Sequence, residues 1–121
     1  MRHIKPLTLT TGQQGVLHRR IMARINDTGP VPPDLAAPCW IYSGTWGDGR
    51  GYKKIKFQGL SIYVHRAMYM ICNGPIPEGL IIDHKCRNRA CCNPDHLEPV
   101  TTKENTLRGN GKWIFEQGYT P

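Results

Sequence analysis

Residues 83–105 carry two kinds of chemistry. Cys86, Cys91 and His96 are separated by four residues each, a spacing that lets a short loop fold round one tetrahedral ion. Three cysteines and a histidine crowd an otherwise polar loop there, which suits a soft-metal site better than a set of small buried hydrophobes. Cys92 stands beside Cys91 and competes with it as a ligand. The second chemistry is hydrolytic. His84 carries an imidazole that titrates near neutrality, so it can take a proton from water at working pH. Asn105 offers an amide oxygen, a hard ligand suited to magnesium or manganese that leaves positions for water and phosphate oxygens. Arg66 can brace a phosphate through a bidentate contact, or serve as an ordinary cation on a helix surface.

These groups can meet only if the chain between them is arranged for it. Leu80-Ile81-Ile82 is an apolar run that reads as a buried strand, ending in Asp83-His84. The cysteine-rich loop follows, then a short Leu97-Glu98-Pro99-Val100 strand. Thr101 is the expected N-cap of a helix, with Glu104 three residues on completing a capping box. The order is therefore strand, metal loop, strand, helix. Asn105 falls in the first turns of that helix, within reach of His84 if the helix packs back across the hairpin. Asp83 neighbours His84 in a strand, so its side chain is expected on the opposite face.

Upstream, Val16, Leu17, Ile21 and Ile25 recur at helical spacing between Arg19, Arg20 and Arg24, and predict an amphipathic helix over 13–25. A Pro-rich connector leads to a short strand over 39–43, with Trp40 and Tyr42 on one face. Strands over 52–57 and 60–64 are joined through Gln58-Gly59 as a hairpin. Lys54 and Lys56 share a strand face with Tyr52, and Lys53 shares one with Ile55 and Phe57. A face of two lysines and a tyrosine, flanked by Arg50 and Arg66, suits a phosphate backbone. A helix over 65–72 follows, with Ala67, Met68, Ile71 and Cys72 as its inner stripe and Cys72 as a packed free thiol. Asn73-Gly74-Pro75 stops it. His3, His18 and His65 have no partner pattern and read as surface or capping residues.

The chain has 121 residues, enough for one modest domain. Sixteen Lys and Arg against nine Asp and Glu give a net charge of +7, a surplus that suits a polyanion partner rather than simple solubility. The basic residues are unevenly placed: 1–25 and 50–66 each hold five and no acid. Five cysteines cannot all pair within one chain. With no signal-like apolar segment and no run long enough to span a bilayer, a reducing intracellular setting is expected.

Asp83-His84, the Cys-x4-Cys-x-Asn-Pro-x-His-Leu run and Asn105 nine residues beyond His96 resemble the ββα-metal (His-Me finger) nucleases. The nearest likeness is to HNH endonucleases of phage type and the related His-Cys box homing endonucleases. Cys39-Trp40-Ile41-Tyr42, Val64-His65-Arg66-Ala67 and Asn73-Gly74-Pro75-Ile76-Pro77-Glu78-Gly79 add to it, so the likeness runs from about Cys39 to Arg108. It implies a small zinc-stabilised α+β fold with a ββα-metal motif and an N-terminal antiparallel β-sheet. With the flanking residues the layout is a basic arm and short helix over 1–38, the nuclease domain over 39–108 and a tail over 109–121. In that tail Trp113, Ile114 and Phe115 can dock as a final short element, and the sequence gives it no clear job.

The likeness also implies roles. Cys39 stands where an upstream cysteine closes the zinc site with Cys86, Cys91 and His96. His84 is the implied general base and Asn105 the implied ligand of magnesium or manganese. Asp83 is a second metal ligand in some HNH homing enzymes and is not needed in the His-Cys box pattern. Asn93 is the candidate support of the loop that orients His84. Read from the residues rather than from the likeness, Arg66 is a brace for the scissile phosphate or a helix-surface cation, and Arg50, Lys53, Lys54, Lys56, Arg87 and Arg89 are the candidate DNA contacts. The implied activity is metal-dependent cleavage or nicking of double-stranded DNA, by a monomer or a homodimer, in a host cell carrying a phage or mobile element. A zinc-containing DNA-binding module without catalysis is the alternative.

Overall fold

The computed structural model of the chain describes residues 9–109, with side chains over 9–105. Most of the basic arm and the tail that holds Trp113, Ile114 and Phe115 lie outside the described residues. Helix α1 spans Thr11–Met22 and opens on a reciprocal cap. The Thr10 hydroxyl accepts from the Gln13 amide at 3.1 Å, and the Gln13 side chain accepts from the Thr10 amide at 2.9 Å. This cap places the helix two residues ahead of the expected start. Leu17 and Ile21, one turn apart, are fully buried and contribute roughly 1.5–3 kcal/mol each. Val16 is 41% exposed, against the expected inward stripe; it lies about 100° round the helix from Leu17. Ile25 also leaves the helix. It enters β1 (Ile25–Asn26), which pairs antiparallel with β2 (Ile41–Tyr42).

Strands β3 (Lys54–Phe57) and β4 (Leu60–Tyr63) form a tight hairpin, with Lys54 opposite Tyr63 and Phe57 opposite Leu60. Its two turn residues, Gln58 and Gly59, have φ of 50° and 79°, the left-handed pair that a hairpin matching the strand twist requires. Ile55 and Phe57 face the core, Lys56 faces solvent and Lys54 is half-buried.

Helix α2 runs Val64–Asn73 directly from β4. Val64, Ala67 and Met68 join Leu17, Ile21, Tyr42, Phe57, Ile62 and Cys92 in the main core. Met70 turns to a second cluster with Ile76, Ile82 and Leu97, beneath the next hairpin. Two expectations fail here. Cys72 is exposed, because the last turn projects past the core before Gly74, at φ 92°, stops it. His65 is not a surface residue; it is buried at 7% exposure.

Strand β5 (Ile81–His84) pairs antiparallel with β6 (Leu97–Val100), setting Asp83 opposite Glu98 and His84 opposite Leu97. A 3₁₀ turn over Pro94–His96 leads into β6. Helix α3 spans Thr102–Gly109. Its capping box closes: the Thr101 amide donates to Glu104 at 2.9 Å and the Glu104 amide donates to the Thr101 hydroxyl at 3.0 Å. The chain is thus a small α+β fold of antiparallel strand pairs ending in a β-β-α unit. The loop between β5 and β6 is stitched to β2 by the Tyr42 amide on Ala90 O and the Cys92 amide on Trp40 O. Gly29 permits the close approach of the connector to this seam, since a Cβ there would lie 2.6 Å from the Cys39 carbonyl.

Candidate active site and metal centre

The stitched loop brings Cys39, Cys86, Cys91 and His96 together with their ligand atoms within 4.8 Å of one another. The His96 ring has one assignment compatible with its surroundings. Its Nε2 lies 2.9 Å from the Ala37 carbonyl and must donate to it, which leaves the Nδ1 lone pair facing Cys39 Sγ at 3.6 Å and Cys91 Sγ at 3.5 Å. Tetrahedral zinc, with Zn–S near 2.3 Å and Zn–N near 2.0 Å, sets sulfur and nitrogen about 3.5 Å apart. The donor set and its spacing fit that ion, and the Ala37 carbonyl is the outer-shell acceptor that such a histidine needs. Burial, and then repulsion from Cys91, push the Cys39 thiol up to about 11. The hydrogen bond from Cys86 draws Cys91 down to about 5. Thiols this close disfavour one another's ionisation, and a bound cation would relieve that. Cys92 points away from the cluster into the main core, which removes it as a competitor for Cys91.

Asn93 sits at the hinge of this loop and is 2% exposed. Its side-chain amide donates to Pro38 O at 2.9 Å, its side-chain oxygen accepts from the Asp95 amide at 3.0 Å, and its own amide donates to Cys91 Sγ at 3.4 Å. It therefore fixes the peptide whose carbonyl, Cys91 O, accepts from His84 Nε2 at 2.9 Å. A carbonyl can only accept, so Nε2 carries the proton and Nδ1 keeps the lone pair of His84. The His84 ring is 4% exposed. Burial lowers its pKa to about 4, below the near-neutral titration expected from the sequence, so the ring is neutral with a free lone pair but is a weaker base than an exposed imidazole.

Beside it opens a cavity of about 350 Å³ lined by Arg50, Tyr52, Tyr63, His65, Arg66, Asp83 and Asn105 among others. Strand β5 supplies Asp83 and helix α3 supplies Asn105. Asp83 therefore faces the cavity, while Arg87, held at φ 59°, donates to both of its carboxylate oxygens at 3.2 Å. Arg66 on α2 is half-buried at the wall, and burial lowers its pKa. His84 lies just behind the lining, its ring centroid 4.7 Å from His65 and 5.9 Å from Tyr52.

The cavity's outer rim is basic and aromatic. Arg89 stacks on Tyr52 at 4.8 Å and donates to Arg50 O at 2.7 Å. Arg50 pairs with Asp48 at 3.1 Å, and Tyr63 donates to the same carboxylate at 3.0 Å. Lys54 lies over both Trp46 and Tyr63, and Lys56 over Trp46. Lys53 is half-buried beside the glycine-rich loop. Of the cavity and rim residues, Trp46 and Tyr63 carry no role in the sequence reading, and His65 is read there as a surface or capping residue. The usable signal was position: Trp46 and Tyr63 flank the lysine strand, and His65 adjoins Arg66.

Residues 62–107 match the HNH endonuclease family. The chain is 31% identical over 105 residues to Protein 2.8 of Escherichia phage T7, a match covering 85% of this chain and 66% of that protein. It is 41% identical over 46 residues to the uncharacterized gene 5.3 protein of Enterobacteria phage T3, covering 38% of this chain and 46% of that one. A third relative, Protein 7.7 of Escherichia phage T7, is 34% identical over 59 residues, or 49% of this chain and 45% of the relative. The chain spans less than two thirds of the length of each. No solved structure matches it significantly. Among the described residues, no helix is long and apolar enough to cross a membrane.

Proposed function

The chain carries a domain of the HNH endonuclease family at residues 62–107, and from that premise we propose that it hydrolyses phosphodiester bonds in double-stranded DNA with the help of a divalent cation. The observation that carries this reading is the cavity at the β-β-α junction, where Asp83, Asn105 and Arg66 converge beside a neutral, oriented His84. In that reading His84 Nδ1 takes a proton from a water in the cavity. The resulting hydroxide attacks phosphorus in line, and the bond from phosphorus to the leaving deoxyribose oxygen breaks as that oxygen takes a proton from solvent. Arg66 holds a non-bridging oxygen of the phosphate. Asn105 and Asp83 supply the hard oxygens for magnesium or manganese, whose charge stabilises the leaving oxygen when bound. Asn93 acts at one remove, by fixing the carbonyl that orients His84.

Zinc in the Cys39, Cys86, Cys91, His96 cluster is structural in this reading, because four protein ligands leave no open position. Arg50, Lys53, Lys54, Lys56 and Arg89 form the approach surface for the duplex. Arg87 has a second task, since it engages Asp83. The setting is the interior of a host cell, with the protein encoded by a phage or mobile element.

One observation favours a second reading, a zinc-containing DNA-binding module. The Asp83 carboxylate already has a cationic partner in Arg87, so the cavity is balanced without magnesium. Supercoiled plasmid separates the two. The nuclease reading expects magnesium-dependent conversion by the wild type, none with chelator, and none by zinc-loaded His84→Ala. Linear product at once would indicate a dimer and nicked product a monomer. Binding without cutting by both proteins would favour the module.

A further inference from the structure

His65 is the one described side chain whose buried polar atom, Nδ1, has no hydrogen-bond partner. Such groups are rare and call for a reason. The ring opens helix α2 and is packed among Tyr52 at 5.5 Å, Tyr63 at 5.6 Å and His84 at 4.7 Å. It also lines the cavity together with Arg66, Asp83 and Asn105. Since Nδ1 is sealed off, the ring meets the cavity by its other edge, which bears Nε2.

The proton position follows from cost. A neutral imidazole carries one N–H and one lone pair. Orphaned buried donors are rarer than under-satisfied acceptors, so the enclosed Nδ1 holds the lone pair and Nε2 holds the proton. Burial first, and then the neighbouring His84 and Arg66, keep the ring from taking a second proton. A neutral N–H donor therefore points into a cavity that is also lined by the guanidiniums of Arg50 and Arg66.

We propose that His65 is a phosphate-binding residue of this cavity, its Nε2–H donating to a non-bridging oxygen of the scissile phosphodiester beside Arg66. This rests on the nuclease reading above for the identity of the phosphate. A fixed neutral donor adds a hydrogen bond that strengthens as charge builds on phosphorus, without adding a further cation to a site that already holds Arg50, Arg66 and the Arg87 partner of Asp83. The rigid aromatic packing around His65 holds that donor in place before substrate arrives.

Glutamine places an amide N–H close to where Nε2 stands, whereas phenylalanine keeps the ring and removes the donor. Zinc-loaded His65→Gln and His65→Phe should both fold. In plasmid cleavage, His65→Phe should lower kcat about 100-fold with little change in KM, in the range found for removal of one preorganised donor, and His65→Gln should recover most of that loss. Equal cleavage by the two variants would overturn the proposal. In parallel, imidazole ¹⁵N–¹H correlation spectra of the wild type should show His65 as the Nε2–H form. They should also show its signal moving when a short duplex is added with calcium in place of magnesium. A proton on Nδ1, or a signal indifferent to duplex, would overturn it as well. If the wild type cuts nothing, the nuclease reading falls while the duplex-induced shift still decides whether His65 holds phosphate.

Discussion

The Cys₃His cluster and the cavity share one strand and one loop, yet they are completed in opposite ways. In the cluster the polar atoms have destinations: His96 Nε2 on Ala37 O, the Asn93 amide on Cys91 Sγ, the Asn93 side chain on Pro38 O. At the cavity the His65 ring, with its Nδ1 left unpartnered behind the lining, and the half-buried Arg66 present polar edges to the opening. Buried polar groups that are fully bonded fix a structure; those left incomplete at an opening are held ready for something that completes them. The same loop serves both, since Cys91 gives its sulfur to the cluster and its carbonyl to His84.

Breaking the closed side should have the largest effect. Structural zinc contributes about 10 kcal/mol or more in small metallodomains, which is comparable to the whole stability of a domain. Cys91→Ser should therefore lose metal and cooperative unfolding together, read by elemental analysis and circular dichroism. Cys92→Ala, one residue along, removes only a core thiol and should keep its metal at a cost of about 1 kcal/mol. Equal metal loss in both would mean the ligand set is misassigned.

On the open side the fold should survive and the chemistry should not. Asn105 is half-buried on an exposed helix, so Asn105→Ala should shift the melting temperature little. Its cleavage rate should fall about 10- to 100-fold, with part of the loss recovered at higher magnesium, as expected when a hard-oxygen ligand is removed. A loss that magnesium cannot recover would argue that Asn105 positions something else.

Acid should separate the two regions by a different route. The folded pKa of His65 lies well below the ordinary 6.5, chiefly through burial. The unfolded chain then binds more protons than the folded one below pH 6.5, so the stability His65 contributes is present above that pH and is lost as pH falls. The slope is about 1.4 kcal/mol per pH unit until the folded pKa is reached. Zinc release and the buried His84, whose pKa is also lowered, add their own acid dependence, and His65→Gln removes only the part that belongs to His65. Thermal unfolding from pH 7 to 5 should be less steep for His65→Gln than for the wild type. Parallel curves would mean that His65 is not held neutral by burial.

What the sequence disclosed follows the same division. The spacing of Cys86, Cys91 and His96, the capping box at Thr101 and Glu104, and the hairpin at Gln58-Gly59 are local signals, and each has its counterpart in the structure. Burial of the metal loop against β2 was not local, so Cys39 could be placed only through the family likeness. His65 was misplaced at the surface because nothing within its own helix marks it as buried; its environment comes from Tyr52, Tyr63 and His84 on three other segments. Asp83 was expected on the face opposite His84, and it does face the cavity while His84 lies behind the lining. Its ion pair with Arg87, in contrast, depends on a left-handed residue that no apolar pattern announces. Val16 and Cys72 went wrong because helical spacing fixes a face without fixing how far the core extends along or around it.

Asn93 tests where one region ends and the other begins. It donates to Pro38 O and accepts from the Asp95 amide, both through a side chain that is almost wholly buried. Asn93→Ala leaves those two partners without it, at a cost of about 1–3 kcal/mol, while all four metal ligands stay in place. Zinc content should therefore hold and the melting temperature should drop. Because Asn93 also anchors the peptide whose carbonyl holds His84 Nε2, cleavage measured well below the melting temperature should fall too, by less than in His84→Ala. Loss of stability with full cleavage would show that the cluster and the catalytic histidine are mechanically independent. Loss of both, with zinc retained, would show that the closed half of the loop sets the geometry of the open one.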